Sequence, residues 1–214
     1  MTDKFIYSVS SYKNGELSFN GNAQFKSLLE PTDERLNECF QKLGISYPKF
    51  FKMDPISKTG FLCTELLVKN NAELIQIESS QVAVLVNTFS GSFDSDIKFQ
   101  ETIQSTENYF PSPGLFVYTL PNIVIGEICI RNGFKGENLC LLSERPEIDQ
   151  IFVTISAWIN SGLTEVTICG WIEVKNDQSH ATLILVGKDK EKRIADFTKE
   201  NLRFYFTESK QNNI

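Results

Sequence analysis

The sequence predicts an α/β fold in which helices cover the faces of a mostly parallel sheet. Helical segments alternate with short runs rich in valine and isoleucine, and turn residues separate the two kinds of segment. Several of the runs are apolar along their whole length, which is typical of strands covered on both faces. At 214 residues the chain is long enough to bury a core as one unit. We therefore expect a single layered α/β domain spanning residues 1–214, with residues 207–214 forming a frayed tail.

The first third of the chain predicts a strand followed by two helices. Residues 5–9 alternate apolar and polar side chains before a turn, which indicates a strand. A helix is expected to begin at Pro31, where acidic residues follow the proline, and to end before Gly44. Asp54 is a good N-cap for the second helix, with Pro55 at its first position.

The middle of the chain predicts one central strand and two helices. Residues 81–88 form an apolar, valine-rich run that indicates a buried strand, and residues 92–106 are predicted to be helical. Residues 115–119 are expected to be extended after a proline-rich crossing. The next helix is apolar almost all round from residue 123 to residue 130, so we expect it to be buried, with Gly133 as its stop.

The last third predicts three strands and one long helix. Residues 139–142 form a short strand, and Pro146 is expected in the first turn of a helix that reaches Ile159. Residues 165–173 form a second central strand. Residues 181–187 form a third, expected to be antiparallel to it through a tight turn.

The composition argues against several classes of function. The formal net charge is −6 and no run of five or more basic residues occurs, so nucleic-acid binding is not expected. Five widely spaced cysteines without a C-x-x-C pair favour reduced thiols. No stretch of about 18 apolar residues and no signal-peptide pattern occurs, so we expect no membrane span and a cytoplasmic location.

No pattern for a metal or cofactor is found in the sequence. The one histidine, His180, has no cluster of cysteine, histidine or acidic residues around it at metal-ligand spacing. Glycine-rich loops that cradle phosphates or dinucleotides are also missing. We therefore expect neither a metal nor a cofactor.

Four stretches of the chain carry motifs of a known family. They are residues 51–54 (FKMD), residues 82–91 (VAVLVNTFSG), residues 120–133 (LPNIVIGEICIRNG) and residues 135–139 (KGENL). Together they resemble the N-terminal half of a β-ketoacyl synthase, a condensing enzyme about twice as long as this chain. The resemblance implies one half of a thiolase-like fold.

The family's nucleophilic cysteine is missing at the corresponding position. In the family it lies seven residues after the position of Asn138, where this chain has Arg145 followed by Pro146. Arg145 either plugs or polarises a degenerate pocket, or is a surface residue that forms a salt bridge at a helix start. The two catalytic histidines of the family belong to the second half, which has no counterpart here. We expect no catalytic residue in either case.

The resemblance is to the chain-length-factor type, as found beside aryl polyene and flexirubin pigment ketosynthases. It implies a catalytically silent subunit that forms a heterodimer with an active ketosynthase. Such a subunit shapes the acyl tunnel during fatty-acid- or polyketide-type chain elongation. Acyl carrier protein would reach the complex mainly through the active partner.

Four residues on one helix are candidates for gating the acyl tunnel: Phe93, Asp96, Ile97 and Gln100. Their spacing of three to four residues gives them a common face. In chain-length factors the corresponding face closes the far end of the tunnel at the heterodimer interface. The alternative is that Phe93 and Ile97 are ordinary core residues.

Five further residues are candidates for the partner interface: Phe116, Tyr118, Leu139, Leu141 and Leu142. The resemblance implies that the segment at 116–119 reaches the partner's acyl pocket, and that the strand at 139–142 pairs antiparallel across a two-fold axis. An open apolar edge strand is an aggregation hazard, which also favours its pairing with another chain. The alternative is that the aromatic residues fill this chain's own core.

Two other functions stay open at this point. In the first, the chain would be an acyl-transferring enzyme that uses Cys140, or one whose active site is split and is completed by a partner's histidines. Alternatively it is a homodimeric acyl-binding sensor that has kept the family's pocket. Against the first, Cys140 lies within an apolar strand, where a cysteine is expected to be a small buried residue.

Overall fold

The computed structural model describes residues 3–107 and 109–207. The strands are β1 (Phe5–Lys13), β2 (Glu16–Phe19), β3 (Asn22–Lys26), β4 (Val82–Thr88), β5 (Asn138–Leu142), β6 (Val166–Lys175), β7 (Gln178–Gly187) and β8 (Ala195–Asp196). The helices are α1 (Thr32–Leu43), α2 (Pro55–Asn70), α3 (Phe93–Glu101), α4 (Pro113–Phe116), α5 (Ile123–Asn132), α6 (Ile148–Ser161) and α7 (Lys199–Phe206). Apart from Thr207, the expected frayed tail lies outside the described residues.

The strands form one mixed sheet in the order β3-β2-β1-β7-β6-β4-β5, with β8 beside β1. The layered α/β class is confirmed. The expected mostly parallel pairing is corrected, because only the pairs of β4 with β5 and with β6 are parallel among the described strands. For three of the antiparallel pairs the reason is local: the two-residue turns at Asn14-Gly15, Asn20-Gly21 and Asn176-Asp177 have positive φ at both positions. Turns of this kind join antiparallel strands.

Helices cover both faces of the sheet. On the first face α1, α2 and α5 pack into one hydrophobic cluster against the sheet. On the second face α6 and α7 form another cluster with side chains of β4, β6 and β7. All seven residues of β4 are buried, which confirms the strand predicted from its apolar run. The loops of the candidate site lie at the carboxyl end of β4.

A glycine fixes how closely β6 and β7 approach. Gly170 of β6 lies opposite Leu183 in the antiparallel register. A Cβ atom at Gly170 would overlap the backbone carbonyl oxygen of Thr182. This position in the sheet therefore accepts only a hydrogen atom as its side chain.

The predicted ends of the first two helices are confirmed. α1 stops at Gly44, which has φ 69°. Asp54 caps α2, because its side chain accepts a hydrogen bond from the backbone N–H of Ser57, and Pro55 occupies the first helical position.

Two predicted segments are wrong in length or type. The helix expected over residues 92–106 ends at Glu101, where the N–H and the hydroxyl of Thr102 both donate to the carbonyl of Phe99. The segment expected to be extended at 115–119 is α4 followed by a 3-10 turn. There the hydroxyl of Ser112 accepts from the N–H of Leu115 and caps the short helix.

Two expectations about the later helices are also corrected. α6 begins at Ile148, so Pro146 lies before the helix and not in its first turn. α5 is only partly buried: Ile130 is 65% exposed, while Glu127 is buried at 1% exposure. The reason is that α5 packs against α2 and leaves its other side open.

Within the described part of the chain, no single helix is both long and apolar enough to cross a bilayer. The segments Pro113–Thr119 and Ile123–Asn132 reach the required length and composition only as a pair, across a bend of 102°.

Candidate functional site

The loop between β5 and α6 corresponds to the expected nucleophile position. Arg145 lies in this loop with its side chain exposed. Among residues 3–107 and 109–207 its guanidinium group forms no ion pair. The salt bridge expected at a helix start is therefore not formed within this part of the chain, and the side chain faces solvent.

Asn87 holds this loop against the sheet from the end of β4. Its side-chain nitrogen donates to the carbonyl of Leu141 at 3.0 Å and to the hydroxyl of Ser143 at 2.8 Å. Its side-chain oxygen accepts from the N–H of Glu147 at 2.7 Å. Asn87 is fully buried, so these bonds replace its contacts with water. The loop is thus well anchored although it carries no thiol.

Glu173 of β6 holds the turn that follows β4. Its carboxylate accepts from the N–H of Phe89 at 2.8 Å, from the N–H of Ser90 at 3.1 Å and from the hydroxyl of Thr88 at 3.3 Å. A Cβ atom at Gly91 would lie 3.0 Å from the side chain of Leu142, so this turn touches the end of β5.

Sequence reasoning missed both of these buried polar residues. The one available signal was a polar side chain inside an otherwise apolar strand, Asn87 in β4 and Glu173 in β6. Such residues need partners when they are buried.

A shallow cavity of about 400 Å³ lies beside the loop. Glu144, Trp171 and His180 contribute to its wall. The indole N–H of Trp171 donates to Nε2 of His180 at 3.3 Å, which assigns Nε2 as the unprotonated nitrogen. Neither a cysteine nor a serine lines this cavity. His180 is therefore near the β5–α6 loop, in a cavity whose lining offers no thiol or hydroxyl of a serine.

Cys140 has the environment of a structural thiol. It is half-buried in β5, and its Sγ lies 3.4 Å from the carbonyl oxygen of Pro121. Burial raises the pKa of the Cys140 thiol to about 11, so the thiol is protonated at neutral pH. Nucleophilic cysteines have lowered pKa values, so this environment does not favour catalysis by Cys140.

The four gating candidates lie together on one exposed face of α3. Phe93 is 53% exposed and Ile97 is 45% exposed, and Asp96 and Gln100 are also exposed. The alternative that Phe93 and Ile97 are core residues of this chain is therefore wrong. On the opposite side of α3, the hydroxyl of Ser95 donates to Asp54 at 3.2 Å and ties the helix to α2.

The interface candidates differ in exposure. Leu142 is 59% exposed and Phe116 is 55% exposed, whereas Leu139 and Leu141 are half-buried against the second-face cluster. Tyr118 departs from the expectation: it is 7% exposed, and its hydroxyl donates to Glu127 at 3.0 Å. The ring of Tyr118 therefore fills this chain's own interior.

Strand β5 forms one edge of the sheet. The N–H of Val84 donates to the carbonyl of Glu137, and the N–H of Ser143 donates to the carbonyl of Thr88. Along a strand, the backbone N–H and C=O groups of successive residues point alternately to one side and to the other, so the odd-numbered residues of this segment bond to β4. The backbone groups of Cys140 and Leu142 therefore point away from β4, towards the open edge.

Within the described residues, no group of three or more histidine, cysteine, aspartate or glutamate side chains is arranged to hold a metal ion.

The sequence matches no protein-family model and no curated protein. Solved structures nevertheless share its fold. The ishigamide ketosynthase/chain length factor superposes with a TM-score of 0.65 at 12% identity, over 91% of this chain and 64% of that chain. The ketosynthase ApeO in complex with its chain length factor ApeC, from Xenorhabdus doucetiae, gives 0.59 at 11% identity over 88% of this chain and 80% of that chain.

A third likeness is to a type II polyketide synthase complex of an acyl-carrier protein with its ketosynthase, AntDE:AntF. It has a TM-score of 0.63 and 13% identity, over 88% of this chain and 63% of that chain. This chain therefore spans less than two thirds of the ishigamide and AntDE:AntF chains. At such low identity the likeness shows the fold alone, and it confirms the thiolase-like, ketosynthase-type fold that the four motifs indicated.

Proposed function

We propose that this chain is a catalytically silent subunit of the chain-length-factor type. It pairs with an active ketosynthase and shapes the acyl tunnel during polyketide- or fatty-acid-type chain elongation. The observation that supports the proposal is at the β5–α6 loop: Asn87 anchors this loop, and Arg145, where the resemblance leads us to expect the family's cysteine, is an exposed residue without a thiol. The open edge of β5 adjoins the same loop.

The edge of β5 supports the heterodimer. The backbone groups of Cys140 and Leu142 face outward, and the Leu142 side chain is exposed beside them. An antiparallel strand from a partner, related by a two-fold axis, would satisfy these groups. It would also cover Leu142, and Phe116 lies within the same proposed interface.

The exposed face of α3 supports a role in the tunnel. Phe93 and Ile97 are large apolar side chains at the surface, and a partner surface would bury them. We assign Phe93, Asp96, Ile97 and Gln100 to the closed end of the acyl tunnel. In this arrangement the partner supplies the cysteine and both histidines, and acyl carrier protein delivers substrate mainly to the partner. A cytoplasmic location and an aryl polyene product belong to the same proposal.

Co-expression with a cysteine-bearing ketosynthase encoded beside this chain tests the proposal. We expect a heterodimer by size-exclusion chromatography, and extension of a carrier-bound acyl group only by the complex. A purified chain that extends an acyl group alone would show that it is not silent. Failure to form a complex would contradict the proposed pairing with a ketosynthase.

The alternative of an enzyme using Cys140 is tested in the same complex. Because the raised pKa keeps the Cys140 thiol protonated, we expect Cys140→Ala to leave the elongation rate unchanged. A complex inactivated by this small substitution, with its assembly intact, would favour the alternative.

The open β5 edge would also accept a second copy of this chain. Light scattering of the chain alone distinguishes the two assemblies. A stable homodimer that persists in the presence of the ketosynthase would favour the homodimeric sensor.

A further inference from the structure

A second and larger cavity, of about 650 Å³, lies at the start of α2. α3, α4 and α5 also contribute to its walls. Its volume falls within the range of roughly 300–1,000 Å³ that is usual for small-molecule sites. On α3 it is lined by Ser95 and Lys98, whereas the gating candidates do not line it. It is therefore separate from the proposed end of the acyl tunnel.

The acidic side chains in this cavity already have partners. Asp33 pairs with Lys58 at 2.6 Å, and Lys58 is buried at 1% exposure. Glu127 accepts from the hydroxyl of Tyr118 and forms an ion pair with Lys49 at 2.8 Å.

Asp54 is the third acid, and it accepts from the N–H of Ser57 at 3.1 Å and from the hydroxyl of Ser95 at 3.2 Å. Burial raises the pKa of Asp54, and the hydrogen bonds and nearby Lys98 oppose that rise only in part. Each of the three acids is thus neutralised or hydrogen-bonded within the protein.

Two further lysines in the wall take no part in these ion pairs. Lys52 and Lys98 line the cavity, and both are exposed. Neither forms an ion pair within 4.0 Å inside the described part of the chain, where Lys49 and Lys58 do. The lining therefore carries an excess of positive charge, although the chain as a whole has a net charge of −6.

The rest of the wall is largely apolar. Phe51 is 51% exposed and Val117 is 45% exposed, and both line the cavity together with Leu115. Apolar walls with a few charged groups are typical of sites that bind a small amphiphile. The apolar part of such a ligand would cover the exposed surface of Phe51 and Val117.

We propose that this cavity binds an amphiphile with a single negative charge, of the class of medium-chain carboxylates. Lys52 and Lys98 bind the anionic head, and Phe51, Leu115 and Val117 contact the chain. The site belongs to this polypeptide alone, so its existence does not depend on the ketosynthase partner.

Calorimetric titration of the purified chain tests the proposal with three probes of equal chain length. These probes are decanoate, decanol and decyltrimethylammonium. We expect decanoate to bind one to one, with decanol at least about ten-fold weaker and the cation weaker still. Equal affinity for decanoate and decanol, or no binding of decanoate, would overturn the proposal without bearing on heterodimer formation.

Variants locate the binding in this cavity. Lys52→Glu with Lys98→Glu should weaken decanoate binding at least about ten-fold. Lys13→Glu with Lys135→Glu makes the same charge change at exposed lysines elsewhere and should leave the affinity unchanged. Leu115→Trp should fill the cavity and abolish binding in a variant whose thermal unfolding is intact. Equal losses in both lysine pairs, or binding that survives in folded Leu115→Trp, would contradict the assignment.

Discussion

The two edge strands of the sheet, β3 and β5, differ in the features that prevent an edge strand from pairing with another chain. β3 has the sequence NAQFK, and most of its residues are exposed. The β2–β3 pairing contains an irregularity between Leu17 and Ser18, and Lys26 of β3 pairs with Glu16. β5 has the sequence NLCLL, which carries no charge, and its pairing with β4 is regular. Bulges and lysines are features that keep an edge strand from pairing with another chain. β3 has an irregular pairing and a lysine, and β5 has neither feature.

Under the proposed function, this difference favours β5 as the edge that a partner would cover and β3 as the edge that faces solvent. The end of β5 leads directly into the loop that Asn87 anchors, and Gly91 lies against Leu142. The edge that lacks these features is therefore next to the loop that contains Arg145. Both features fit the proposed heterodimer, in which a partner strand on β5 would bring the partner's active site close to this loop.

The largest effect is expected from a charge on the β5 edge. Leu142→Lys would place an ammonium group in the proposed interface, where burial would remove it from water. We expect the affinity for the ketosynthase to fall about 100-fold or more, because burying an unpaired charge costs about 3 kcal/mol or more. The dissociation constant of the purified heterodimer measures this.

Gln24→Lys on β3 is the matched control, because it adds the same charge to the other edge strand at an exposed position. We expect its dissociation constant to equal that of the wild type. If the Gln24 variant lost affinity while the Leu142 variant kept it, the roles of the two edges would be reversed.

A smaller effect is expected from removing the Asn87 side chain, which anchors the loop after β5. Asn87→Ala removes the three hydrogen bonds of this buried side chain and leaves the N–H of Glu147 without its partner. We expect the free energy of unfolding to fall by about 3 kcal/mol. Asn22→Ala on exposed β3 should change it by less than about 0.5 kcal/mol. Urea denaturation of both variants measures the difference, and equal values would mean that the loop is not held through Asn87.

The smallest effect concerns Asp54, which ties α3 to the start of α2. Asp54→Ala removes the helix cap and should lower the free energy of unfolding by about 1 kcal/mol, whereas Asp54→Asn keeps an acceptor for the N–H of Ser57.

Because burial raises the pKa of Asp54 in the folded state, folding favours its protonated form. The contribution of Asp54 to the free energy of unfolding is therefore fully present below the pKa of this residue in the unfolded chain, near 3.8. It is lost as the pH rises through the higher pKa of Asp54 in the folded state.

Urea denaturation between pH 4 and pH 7 measures this linkage. The stability of the wild type relative to Asp54→Asn should fall as the pH increases. A relative stability that rises over this range would mean that the pKa of Asp54 is lowered by folding instead.

Local features of the fold could be predicted from the sequence, and long-range pairing could not. Asp54 and Gly44 mark helix ends through bonds to nearby residues, so their patterns were sufficient. The pairing of β1 with β7 joins segments from opposite ends of the chain, and no local pattern contains it. The short helix α4 depends on the cap at Ser112, and a five-residue apolar run does not distinguish that helix from a strand.

The same limit applied to the candidate site. The sequence itself shows that no cysteine lies between β5 and α6, and the resemblance to the condensing-enzyme family is what led us to expect the nucleophile position at Arg145. The groups that shape the loop could not be predicted, because Asn87 bonds to Glu147 across 60 residues of sequence and Glu173 bonds to Ser90 across 83. These partners meet only where the sheet brings the ends of β4, β5 and β6 together. The exposure of the α3 face likewise depends on which side of that helix packs on α4 and the turn that follows α4.

Gly170 bears on how more distant proteins with this fold can be recognised. At about 12% identity, most positions of two such chains differ, and overall similarity says little. A methyl group at Gly170 would overlap the carbonyl oxygen of Thr182, so divergence cannot place an alanine there while the two strands keep their spacing. We expect a glycine at this point of the strand pair to persist after most other shared residues have been replaced, and to serve as a steric signature in threading-based searches.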